Sequence, residues 1–156
     1  MNVRLSVCLG MLLFVVACGS DSGVERLVLA DGRVAPIEHW DGRYLAINYW
    51  AEWCTPCIEE IDELNALHAD RVNHNLVMLG VNYDGLTGDA LLEVMERMDV
   101  RFPVLANDVS AHFGYAVPTV LPTTVILSPD REVIAELKGP QTELSLLRAT
   151  GASADL

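Results

Sequence analysis

Two hydrophobic periods alternate along the chain. Short apolar segments at residues 27–29 and 34–37 flank Asp31-Gly32, a dipeptide that suits a tight turn because both residues tolerate positive φ; together they predict a leading β-hairpin. Residues 44–50 are a continuous apolar and aromatic run, the pattern of a strand buried on both faces of a parallel or mixed sheet. Beyond Pro56 the period changes. Ile61, Leu64 and Leu67 recur among acidic residues 59, 60, 62 and 63, predicting an amphipathic helix to about residue 69 with Pro56 in its first turn. Residues 76–81 read as a second buried strand. Leu91, Val94, Met95 and Met98 mark a second helix, with the methionines as core filler, ahead of an apolar segment at 102–105. Residues 109–115 predict a short helix. The β-branched strand 123–127 returns through Pro129-Asp130 to a strand at 132–137, and Gly139-Pro140 ends that hairpin. Residues 142–149 predict a last helix capped by Thr142. Strands and helices that alternate and close in a hairpin plus helix predict an α/β sandwich around a central mixed sheet.

The 156 residues suffice for one compact domain with its own core. Asp and Glu number 22 against 10 Lys and Arg, a formal charge of -12, which opposes binding to nucleic acid or to an anionic lipid surface. Membrane attachment has another source in the first residues. Arg4 supplies a basic start, residues 5–17 are mostly apolar, and Ala17 precedes Cys18, so residues 1–17 read as a signal peptide. The apolar stretch is shorter than the roughly 20 residues a membrane-spanning helix needs. Val15-Val16-Ala17-Cys18 resembles a bacterial lipobox, which implies cleavage before an acylated Cys18 and an extracytoplasmic protein held to the lipid bilayer. Ordinary cleavage nearby is the alternative. Residues 18–25, with Gly19-Ser20-Asp21-Ser22-Gly23, then form a tether, and 26–156 the folded domain. With Cys8 removed and Cys18 committed to lipid, only Cys54 and Cys57 remain in the domain, which excludes a disulfide scaffold.

Cys54-Thr55-Pro56-Cys57 joins the buried strand to the first helix. Two intervening residues let one helical turn bring the sulfurs within disulfide distance. Cys54 falls at the helix start, where unpaired amides favour an anion, and Cys57 one turn inside. That predicts Cys54 as the attacking thiolate and Cys57 as the resolving thiol. Zinc would need a second ligand pair, and attached haem a histidine where Ile58 stands. His39, His68, His74 and His112 show no metal-ligand spacing and read as surface or capping residues. Glu60 shares a helix face with Cys57, and spacing alone leaves it either a proton acceptor for that thiol or a solvated first-turn carboxylate.

Asn48-Tyr49-Trp50-Ala51-Glu52-Trp53-Cys54-Thr55-Pro56-Cys57 resembles the TlpA/ResA-like branch of thioredoxin-fold reductases. Val81-Asn82-Tyr83-Asp84, Phe102-Pro103-Val104-Leu105 and Leu121-Pro122-Thr123-Thr124 match the branch in order, so the resemblance covers nearly the whole domain. It implies a three-layer thioredoxin-like sandwich with an N-terminal hairpin. Asn48 is similar to this extracytoplasmic branch, where thioredoxin itself has an aspartate. The resemblance implies that Glu60 is the active-site glutamate and that Pro122 is a cis-proline facing the cysteines, with Leu121 offering its backbone to substrate. Trp53 is a further candidate for the substrate surface, and Trp50 for that surface or the core. Ile58 and Asp62 depart from the family, which often has a basic residue and a proline there.

The expected function is an extracytoplasmic thiol-disulfide oxidoreductase reducing exported proteins, apocytochrome c among the substrates the family implies. A membrane thiol-disulfide donor would restore its dithiol, with no cofactor beyond the Cys54-Cys57 pair. The alternatives are a disulfide-donating oxidant and a redox-inactive binding or metal-carrier module on the same fold.

Overall fold

The structure, a computed structural model, describes residues 26–151. The predicted signal peptide, the tether and Cys18 lie outside the described residues. At the start, β1 (Arg26–Val28) and β2 (Val34–Pro36) pair antiparallel, with Gly32 at φ 80° in the turn between them. A 3-10 turn, Ile37–Trp40, leads to β3 (Tyr44–Trp50). Then follow α1 (Thr55–Ala69), β4 (Leu76–Asn82), α2 (Gly88–Arg97), β5 (Val104–Leu105), β6 (Thr123–Leu127), β7 (Val133–Lys138) and α3 (Glu143–Ala149).

The five-stranded sheet has the order β5-β4-β3-β6-β7. β3 lies at its centre, parallel to β4 and antiparallel to β6, which makes the sheet mixed as expected. Because a strand presents successive side chains to opposite faces, β3 feeds two cores. Ala46 and Trp50 join Ile61, Leu64 and Leu67 of α1, Leu91 and Val94 of α2 and Leu146 of α3. Leu45, Ile47 and Tyr49 join a second cluster with Leu27 and Leu29 from the hairpin, Trp40 and Val109. The three layers are therefore helices, sheet, and a cover made of hairpin, 3-10 turn and loop.

Residues 109–115, expected as a helix, form turns instead. Phe113 N–H bonds the Val109 carbonyl and Tyr115 N–H the Ser110 carbonyl, so one turn closes. Gly114 then takes φ 72°, which cannot continue a right-handed helix. The apolar residues of this segment still pack: Val109, Phe113 and Tyr115 lie against the second core. In the apolar 102–105 segment only Val104 and Leu105 pair with β4, at Gly80 and Val81, so β5 is two residues long.

Thr142 caps α3 as expected, accepting from Ser145 N–H while the Ser145 hydroxyl accepts from Thr142 N–H. Among the described residues no helix is long and apolar enough to cross a membrane.

Candidate active site

The central strand ends at Trp50, and Ala51-Glu52-Trp53 carries the chain to Cys54, the residue that caps α1. Its extended backbone (φ -89°, ψ 97°) turns its carbonyl to accept from Cys57 N–H (3.0 Å) and Ile58 N–H (3.1 Å). Pro56 occupies the first turn, where its missing N–H leaves no bond unmade. Cys54 and Cys57 form a disulfide across a Cα separation of 5.2 Å, within the usual range. The two cysteines are not equivalent in access. Cys54 is 5% exposed and lines an open cavity of about 390 Å³, whereas Cys57 is 0% exposed and packs in the helical-side core.

Trp53, Thr55, Pro56, Tyr83, Thr119 and Leu121 complete the cavity around Cys54. Trp53 is 65% exposed, and its indole N–H donates to both carboxylate oxygens of Asp84 (3.0 and 3.1 Å), which fixes the ring at the rim. Trp50 is fully buried and belongs to the core. The Leu121-Pro122 peptide bond is cis; Leu121 faces the cavity and Pro122 is buried just before β6. Together these residues make a concave, largely apolar surface with Cys54 in its lining.

Glu60 is 2% exposed, one helical turn beyond Cys57. Asn48 Nδ2 donates to its Oε1 (2.7 Å) and Gln141 N–H to its Oε2 (2.7 Å). Burial disfavours the carboxylate and outweighs these two donors, raising the pKa of Glu60 from 4.5 to about 7. Asn48 itself is anchored by a second bond from Nδ2 to Thr124 Oγ1 (3.0 Å), while its Oδ1 is buried with no partner. Glu59 and Glu63 on the same helix are exposed, so α1 carries one buried acid among solvated ones.

Sequence spacing joins Cys54, Cys57 and Glu60 along the start of α1, Trp53 directly precedes Cys54, and the fold brings Leu121, expected together with Pro122 from the motif resemblance, to the same cavity. Three partners were missed: Gln141, Thr124 and Asp84. Gln141 acts through its backbone N–H, which leaves no residue signature. Asp84 lies within the Val81-Asn82-Tyr83-Asp84 motif, so that motif was the available signal.

Residues 27–136 match the AhpC/TSA family. The chain belongs to that family. Thiol-disulfide oxidoreductase ResA of Bacillus thuringiensis subsp. konkukian is 27% identical over 119 residues, covering 74% of this chain and 66% of the relative. ResA of Bacillus subtilis is 28% identical over 126 residues, covering 80% and 69%. The chain thus spans about two thirds of the length of these relatives. The crystal structure of StoA from Bacillus subtilis superposes with a TM-score of 0.65 at 18% identity, covering 81% of this chain and 95% of that one, a likeness of fold. The family's thioredoxin-like architecture and the ResA-like resemblance of the motifs therefore agree.

Proposed function

We propose that this chain is an extracytoplasmic thiol-disulfide oxidoreductase, held to a bacterial membrane by acylated Cys18, that reduces disulfides in exported proteins. The observation that carries the reading is the asymmetry of the Cys54-Cys57 disulfide, with Cys54 lining an open cavity and Cys57 fully buried one helical turn before a buried acid. The names of the ResA relatives support the reaction class.

In the reduced form the Cys54 thiolate attacks one sulfur of a substrate disulfide. A Cys54-substrate disulfide forms and a substrate thiolate leaves. Glu60, poised near neutrality, takes the proton of Cys57. The Cys57 thiolate then attacks Cys54 Sγ, the internal disulfide closes, and the second substrate thiolate departs and is protonated. Two electrons have passed from protein to substrate, and a membrane thiol-disulfide donor returns them. No further cofactor enters this sequence. Substrate lies along Trp53 and Leu121, beside Pro122.

Trapping tests the assignment. Cys57→Ala should accumulate mixed disulfides through Cys54, because attack survives and resolution does not, and Cys54→Ala should accumulate few. Non-reducing gels and peptide mapping read the outcome. The reverse pattern would exchange the two roles, and no adduct with either variant would leave a redox-inactive module.

A further inference from the structure

Away from the cysteines, three segments bring one imidazole and two carboxylates together. Asp70 caps the C-terminus of α1, His74 lies in the loop leading to β4, and Glu143 opens α3. His74 Nε2 lies 3.1 Å from Asp70 Oδ2 and 3.3 Å from Glu143 Oε1. Donor atoms of all three lie within 4.8 Å of one another. The same Nε2 is buried and makes no directed hydrogen bond, so neither carboxylate takes a well-aimed proton from it.

We infer that Asp70, His74 and Glu143 form a binding site for one divalent transition-metal ion, with zinc as the best match. Zinc takes imidazole nitrogen and carboxylate oxygen at about 2.0–2.2 Å in a tetrahedron, which sets neighbouring donors about 3.3 Å apart. The separations of 3.1 and 3.3 Å are edges of such a tetrahedron. Two carboxylates and a neutral imidazole balance the charge of a divalent cation. Asp70 is half exposed, which leaves the fourth position open to water.

The surroundings hold the donors in place. Asn73 Nδ2 donates to Asp70 Oδ1, leaving Oδ2 turned to His74. The loop is pinned by Arg43 Nη2 on the His74 carbonyl (3.2 Å) and by Asn75 Nδ2 on the Gly42 carbonyl (2.9 Å). Glu143 N–H bonds Glu63 Oε2 (3.1 Å), tying α3 to α1. Such outer partners are part of a metal site's affinity as well as its shape. The ion would staple α1, the α1–β4 loop and α3 together, two residues from the Gln141 N–H that reaches Glu60.

Zinc titration of the oxidised full-length protein by calorimetry tests the site, since the closed Cys54-Cys57 disulfide withholds those thiols. One equivalent should bind that His74→Gln and Glu143→Gln do not bind, while any contribution from Cys8 or Cys18 is common to all three proteins. Asn73→Ala retains every ligand and should bind about 10- to 100-fold more weakly. Cobalt should give visible absorption of tetrahedral intensity in the parent and lose it in His74→Gln. Saturating zinc at a hundredfold excess over Kd should raise the folded-to-unfolded ratio about 100-fold in the parent alone. Should His74→Gln fail to fold, Glu143→Gln and Asn73→Ala decide. Equal stoichiometry and affinity in parent and variants, or no binding by the parent, would overturn the site.

Discussion

Replacing Glu60 by Gln changes how stability depends on pH, and the size of the change follows from the burial of one carboxyl. In the folded protein its pKa is about 7, against 4.5 when solvated. The folded state therefore holds its proton more tightly than the unfolded state, and stability falls as pH rises from about 4.5 through about 7. Below that window the buried acid is neutral in both states and costs nothing. Between about pH 5 and about pH 8 the two-pKa linkage removes about 2.5 kcal/mol, using 1.36 kcal/mol per pKa unit. Other groups do not imitate this. Asp31, Glu52 and Asp99 have lowered pKa values through Arg33, Arg97 and Arg101, and such groups lose their contribution at more acid pH. His68, lowered by burial and by Arg71, acts in the opposite direction within the window, but it is present in both proteins and cancels in the comparison. Glu60→Gln sacrifices one acceptor facing Asn48 or Gln141, a nearly constant cost of about 1–3 kcal/mol. In urea unfolding of the oxidised protein and the variant, the stability of the parent relative to the variant should fall by about 2.5 kcal/mol between about pH 5 and about pH 8. Parallel curves would refute a carboxyl titrating near neutrality at this position.

The same substitution should slow closure of the mixed disulfide by about 100-fold or more near neutral pH without slowing attack by Cys54, as read by stopped-flow oxidation of the reduced protein. The reduction potential should lie nearer to about -270 mV than to about -120 mV, because a helix terminus stabilises an anion by at most about 2 kcal/mol while Glu59 and Glu63 oppose it. A value above about -150 mV in glutathione buffers would reverse the direction to oxidant. Gly80→Ala should destabilise by about 1–3 kcal/mol in chemical denaturation, since a Cβ there meets Phe102 and Trp50 side-chain atoms at 2.9 Å; an unchanged midpoint would mean that those rings move aside freely. Cys18→Ser should release the protein from membranes, and an intact mass showing an unmodified mature start elsewhere would refute the anchor.

Sequence periodicity revealed β3, α1 and β6 because each buries a face whose repeat is written along its own length. It failed at residues 109–115, where apolar spacing resembles a helix but Gly114 reverses the backbone and Asp108 accepts from both the N–H and hydroxyl of Ser110. The cysteines and Glu60 were legible because helical spacing joins them. Asn48 was singled out by its position, but its bond to Glu60 was not, since strand and helix meet only after folding. The Asp70, His74 and Glu143 cluster had no local signature either, because its third member arrives with the last helix.

The alternation within β3 has a consequence for how mutations would be read in a pooled scan. Leu45, Ile47 and Tyr49 face the hairpin side, while Ala46, Asn48 and Trp50 face the helices and Glu60. Substitutions at the first set should lower abundance and leave specific activity per folded molecule near normal. At Asn48 abundance and activity should separate in the other direction. A single-residue deletion would exchange the two sets, so that this strand tolerates changes of letter far better than changes of length.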